Sequence, residues 1–101
     1  MTAHQVLWTS KATSDLGECL EFLSRVSPSA AQDLLRAAVL AANSLGEYPE
    51  MHPEFEMPKS FPFCVRKCVV AHRYLLLYCV EKETIIIYRF LDSRKGFGAL
   101  L

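Results

Sequence analysis

Arg66 stands in the run Cys64-Val65-Arg66-Lys67-Cys68-Val69-Val70, a cation among apolar and β-branched neighbours. An arginine there either finds a partner or lines a working surface. Upstream, a stretch from Glu47 to Pro62 is punctuated by Pro49, Pro53, Pro58 and Pro62 and carries His52 and Glu54. A histidine titrates near neutrality, so this pair is the candidate acid–base couple near Arg66. The plain alternative for His52 is a solvated loop side chain. Cys64 and Cys68 fall four apart on the same run, roughly 13 Å at ordinary strand rise. That separation excludes a disulfide and joint ligation of one metal without help from other loops. No phosphate-cradling glycine loop and no serine or cysteine triad appears. The expectation is a protein with neither metal nor cofactor.

These residues need elements to position them, and the pattern supplies three consecutive strands from Phe63 to Arg94. After the Arg66 run come Arg73-Tyr74-Leu75-Leu76-Leu77-Tyr78-Cys79-Val80 and Thr84-Ile85-Ile86-Ile87-Tyr88-Arg89-Phe90-Leu91, separated by hairpin-sized breaks. The second and third runs are apolar on both alternating faces, which predicts central strands in a sheet at least partly covered on both sides. Alternation groups Ile86, Tyr88 and Phe90 on one face of the third and Ile85, Ile87 and Leu91 on the other. The chain opens with a short strand, Gln5 to Thr9, and Thr9 or Ser10 can cap the helix that follows. Ala12, Leu16, Cys19, Leu20, Leu23 and Val26 form its apolar stripe. Ser27-Pro28 closes this helix and caps a second, to about Leu45, burying Ala31, Leu34, Leu35, Ala38, Ala41, Ala42 and Leu45, with Gly46 as the residue after its end. Glu47 to Pro62 reads as a long loop and the tail after Leu91 as irregular. The fold class expected is α+β in the order β-α-α-β-β-β, a helical hairpin packed on a twisted antiparallel-rich sheet, with residues 1–101 as one domain.

Of 101 residues, 51% are hydrophobic and 22% charged, with a net charge of +0, which argues against a protein wrapped in nucleic acid over its whole surface. The charges are segregated. Up to Ser60 four basic side chains face eight acidic ones, and from Phe61 seven basic face three acidic, so the sheet half is basic and the helical half acidic. No apolar run approaches the roughly 20 residues of a membrane span. Met1-Thr2-Ala3-His4 has neither basic nor apolar leader character, and the cysteines sit in apolar segments as buried free thiols would. A cytoplasmic protein without membrane contact is expected.

Several segments then resemble one family. Val6-Leu7-Trp8-Thr9 followed by Ala12 and Asp15-Leu16, Ser27-Pro28-Ser29-Ala30-Ala31, Leu45 with Tyr48-Pro49, and Pro53-Glu54-Phe55 are similar in order and spacing to the RelE/ParE toxin superfamily of bacterial type II toxin–antitoxin modules. Val65 through Tyr78 is the most similar segment, matching the family's arginine-bearing strand and the strand after it. The resemblance covers nearly the whole chain. It implies a helical hairpin on a twisted sheet and a toxin neutralised by a cognate antitoxin in a hetero-oligomer. Members of this one fold either poison DNA gyrase by contact or cut mRNA at the ribosome, and a degenerate member binds its antitoxin without being toxic.

Under that resemblance Arg66 matches the strand arginine that stabilises the phosphate in RNA-cleaving members, a task suited to a fixed guanidinium. Its structural alternative is pairing with Glu54 or Glu56 to pin the loop. Arg94 lies where RNA-cleaving relatives place a second arginine, with a solvated tail charge as its alternative. If the chain is an endoribonuclease, Arg66 and Arg94 are its catalytic candidates, with His52 and Glu54 beside them. The chain departs from the enzymes elsewhere. Asp92 stands where some members have a histidine, Leu100 where RelE-type enzymes have a tyrosine, and the lysine cluster is reduced to Lys59 and Lys67. Phe97 is the one aromatic of the tail, and phenylalanine transfers no proton. Neutral charge and these losses rank gyrase inhibition first, with Asp92, Arg94, Lys95 and Phe97 as the target-binding patch.

Overall fold

The computed structural model describes residues 4–55 and 65–95. Strand β1 (Gln5–Trp8) leads into helix α1 (Ser10–Val26) and helix α2 (Pro28–Glu47). Strands β2 (Glu54–Phe55), β3 (Val65–Val70), β4 (Tyr74–Glu81) and β5 (Thr84–Asp92) follow, and a 3₁₀ turn occupies Ser93–Lys95. Thr9 joins two of these elements. Its Oγ1 accepts the Ala12 N–H at 3.0 Å, capping α1, while its own N–H and hydroxyl donate to the carbonyls of Ile87 and Tyr88 on β5. Ser27 serves both helices. Its N–H donates to Leu23 O at 2.7 Å and closes α1, and its Oγ accepts the Ala30 N–H at 3.3 Å as the cap of α2, with Pro28 in the first turn. A single residue therefore links the helices.

The sheet runs β1-β5-β4-β3-β2, antiparallel except for the parallel pairing of β1 with β5. Strand β4 is central, and Tyr74 through Cys79 are all buried, as the double-sided apolar pattern predicts. The helices cover one face. Ala12 of α1 and Leu34, Ala38, Ala42 and Leu45 of α2 pack on Cys68, Val70, Tyr74, Leu76, Tyr78, Ile85, Ile87 and Phe90. The alanines leave room for this close approach, and each large side chain removed from water contributes about 1.5–3 kcal/mol.

Strand β5 departs from simple alternation. Leu77 pairs with Arg89 but Tyr78 with Ile87, so Tyr88 is an extra residue, a bulge. One inserted residue reverses the faces beyond it. Phe90 therefore joins Ile85 and Ile87 in the helix-side core, 1% exposed, rather than lying with Ile86 as alternation predicts. Tyr74 and Phe90 stack there with ring centroids 5.5 Å apart.

Other expectations need correction. Val26 is 73% exposed and Leu35 45% exposed, because both turn away from the sheet at the outer side of the hairpin. Gly46 lies inside α2, which continues to Glu47 and is capped at Tyr48. A Cβ there would come within 3.0 Å of His4 O, and the His4 N–H donates to Gly46 O at 2.9 Å. Glycine thus lets the chain entering β1 touch the end of α2. The stretch read as loop contains β2, whose Glu54 and Phe55 pair with Arg66 and Val65. Cys68 and Cys79 are buried as expected while Cys19 is only half-buried, none of the three is in a disulfide, and Cys64 lies outside the described residues. Among the described residues no helix is long and apolar enough to cross a membrane.

Candidate functional site

Two registers place Arg66. Across one edge of β3 it faces Glu54 of β2, and across the other it faces Tyr78 of β4. Its Nη1 donates to the carbonyl of His52 at 2.7 Å, so the arginine pins the loop through a backbone oxygen rather than through Glu54. Glu56 lies outside the described residues. Tyr78 acts in parallel: fully buried, it donates its hydroxyl to Pro49 O at 2.8 Å. The His52 ring meets the Tyr78 ring edge-on, with centroids 6.3 Å apart at 88°. Burial lowers the His52 pKa below its ordinary 6.5. Burial also raises that of Tyr78, against the opposing Arg66 charge. Both rings are neutral near pH 7. His52, Arg66 and Tyr78 form a clamp holding the segment after α2 against the sheet.

Arg94 is held differently. Its Nε and Nη2 grip the two oxygens of Asp92 at 3.0 and 2.7 Å, and its N–H donates to the same carboxylate at 3.0 Å. The hydrogen bonds donated to the Asp92 carboxylate keep the guanidinium pKa above its usual value. Asp92 is not a tail residue. Strand β5 extends through it, it faces Tyr74 in register, and it is 9% exposed. Ser93 then ties the end of β5 to the β3–β4 turn, its N–H and hydroxyl donating to Arg73 O at 2.9 and 2.6 Å. Arg66 and Arg94 are not brought together. Arg66 precedes Val70 by four residues, and Val70 pairs with Tyr74, which pairs with Asp92. The two sites lie about 13 Å apart along the strands and two strand spacings across. Lys95 ends the 3₁₀ turn, and Phe97 lies outside the described residues.

Residues 6–97 match the family described as the ParE toxin of type II toxin–antitoxin system, parDE. The chain belongs to the ParE toxin family. It is 33% identical over 85 residues to Toxin RelE2 of Caulobacter vibrioides, an alignment covering 84% of this chain and 90% of that toxin. Its fold is similar to a chain of the chromosomal ParDE TA system from P. aeruginosa, with a TM-score of 0.69, 20% identity, and coverage of 89% of this chain and 96% of the other.

This ParE-family toxin carries a third arginine that sequence reasoning passed over. Arg89 Nε donates to Asp15 Oδ2 at 2.7 Å and its Nη2 to Oδ1 at 3.3 Å, while the Phe90 N–H donates to the same Oδ2 at 3.1 Å. The available signal was an acid on the buried stripe of α1, three residues from Ala12, matched by a base inside an apolar strand. Among the described residues no cluster of histidine, cysteine, aspartate or glutamate could hold a metal ion. The outer surface of the hairpin is apolar in places. Phe22 and Val26 of α1 and Leu35 and Val39 of α2 are spaced one turn apart and exposed. An open cleft of about 310 Å³ runs between the helices there, lined by Leu20, Ala31 and Leu35.

Proposed function

We propose that this toxin acts by binding DNA gyrase, without chemistry of its own, and is held inactive by a cognate antitoxin. One observation carries the choice of target. The two arginines that could serve a phosphodiester are already committed, Arg66 to the His52 carbonyl and Arg94 to the Asp92 carboxylate, and they stand two strands apart, with Arg94 beyond the end of β5 and Arg66 level with its middle. Phosphoryl chemistry needs free cations converging on one developing charge. Burial disfavours the protonated form of the histidine beside Arg66, whose ring is engaged with Tyr78, so among the described residues no charged proton donor stands beside Arg66. A protein-binding toxin needs only a shaped patch, and Asp92, Arg94, Lys95 and Phe97 are assigned to it.

The antitoxin is assigned to the outer face of the hairpin and the open edge of the sheet at β1. An amphipathic helix laid along Phe22, Val26, Leu35 and Val39 would cover exposed apolar area. A stable complex of this kind buries more than ~1,200 Å². The deciding experiment is induction of the chain without its antitoxin, followed by assays for trapped gyrase–DNA cleavage complexes and for cut mRNA. Cleavage complexes with intact mRNA are expected. Cut mRNA with unaltered supercoiling would replace this reading with a ribosome-dependent endoribonuclease.

A further inference from the structure

The β3–β4 turn keeps side chains where its geometry favours none. Ala71 and His72 both have positive φ, 53° and 62°, and the Arg73 N–H donates back to Val70 O at 3.2 Å. Two successive left-handed positions at the centre of a β-turn favour Asn-Gly, since a Cβ is crowded there. Here the turn instead presents His72 and Arg73, both exposed, on one lip of an open groove of about 350 Å³. Leu23 of α1 and Leu34 of α2 contribute its apolar lining, and Asp33 stands on the other lip, 3.7 Å from Arg36. Arg73 makes no ion pair among the described residues, while the acid across the groove has a basic neighbour of its own. The lip is therefore net positive. It is also continuous with the end of β5, because Ser93 is bonded to the Arg73 carbonyl and the Arg94 side chain beside it remains 51% exposed.

We propose that this groove docks an acidic segment of the toxin's protein target, with an apolar side chain filling the groove and a neighbouring carboxylate meeting Arg73 and His72. The inference rests on the target-binding reading above and extends its surface from the end of β5 onto the β3–β4 turn. Charge complementarity selects the occupant: an exposed guanidinium beside an apolar recess favours an acid flanked by a large apolar residue. The strained turn fits this assignment, since left-handed residues other than glycine cluster where their side chains are used.

The test uses the full-length chain, purified gyrase and purified antitoxin. Arg73→Glu should weaken gyrase binding by roughly tenfold or more and flatten its salt dependence. The double change Ala71→Asn with His72→Gly should raise the melting temperature by relaxing the turn and still weaken gyrase binding. Both variants should keep wild-type affinity for the antitoxin. Unchanged gyrase binding in either variant, or antitoxin affinity falling in parallel, would overturn the groove. If the wild type does not bind gyrase, the gyrase reading fails, and growth arrest in cells decides the groove separately. Arrest lost in Arg73→Glu with antitoxin binding intact supports it for another target, and arrest retained overturns it. A wild-type chain that arrests no growth overturns both.

Discussion

Asp15 on α1 completes the free edge of β5: one carboxylate oxygen accepts both the Arg89 Nε–H at 2.7 Å and the Phe90 backbone N–H at 3.1 Å. Strand β1 pairs with β5 only through Ile87, so beyond that residue the helix side chain does what a neighbouring strand would do. The Asp15 side chain is 9% exposed and that of Arg89 24%. Removing one partner of a largely buried pair leaves the other charge unmatched. Asp15→Ala should therefore cost about 3 kcal/mol, readable as a lower urea midpoint. In a double-mutant cycle with Arg89→Met, the second change should cost much less on the Asp15→Ala background. Equal costs on both backgrounds would mean that the pair does not couple.

Arg66→Ala should loosen the segment after α2 without abolishing toxicity. The lost hydrogen bond joins a charged donor to the His52 carbonyl, and such bonds contribute roughly 1.5–3 kcal/mol. Faster amide exchange across Met51 to Phe55 should accompany the loss. Toxicity that vanishes while the fold, antitoxin binding and gyrase binding persist would instead give Arg66 a catalytic role.

His52 links stability to acid pH. Burial depresses its pKa in the folded chain below 6.5, so the unfolded chain takes up the proton first as pH falls. The stabilising contribution is present above about 6.5 and is lost progressively as pH drops toward the folded value. Urea midpoints between pH 7.5 and 5, compared at roughly half-unit steps, should decline more steeply for the wild type than for His52→Gln. Parallel slopes would show that His52 carries none of the linkage.

Two truncations separate the tail from the sheet. Ending the chain after Lys95 keeps Asp92 against Tyr74 and Ser93 on Arg73, so antitoxin binding and thermal stability should be nearly those of the full chain. Gyrase poisoning should fall because Phe97 is gone. Ending it after Leu91 removes the Asp92–Arg94 grip and the Ser93 bonds as well, and should lower stability together with function. A chain ending at Lys95 with full toxicity would remove Phe97 from the target-binding patch.

Much of this architecture was legible locally. The cap residues Thr9 and Ser27, the helical stripes and the three apolar runs each depend on residues within a turn or two, and they placed α1, α2, β3, β4 and β5 nearly to their ends. The arginine in β3 was visible for the same reason, as a charge interrupting an apolar run. What it binds was not. A backbone carbonyl has no sequence signature, so the His52 oxygen that holds Arg66 emerges only when the loop is folded back along β3. The bulge at Tyr88 is also a property of two strands, since register exists only between partners, and it alone moves Phe90 into the core. The same holds for Asp15 and Arg89, 74 residues apart in the chain: the sequence by itself showed only an acid beside an apolar helical stripe and a base inside an apolar strand, and tertiary packing decided that they would be buried together and neutralise one another.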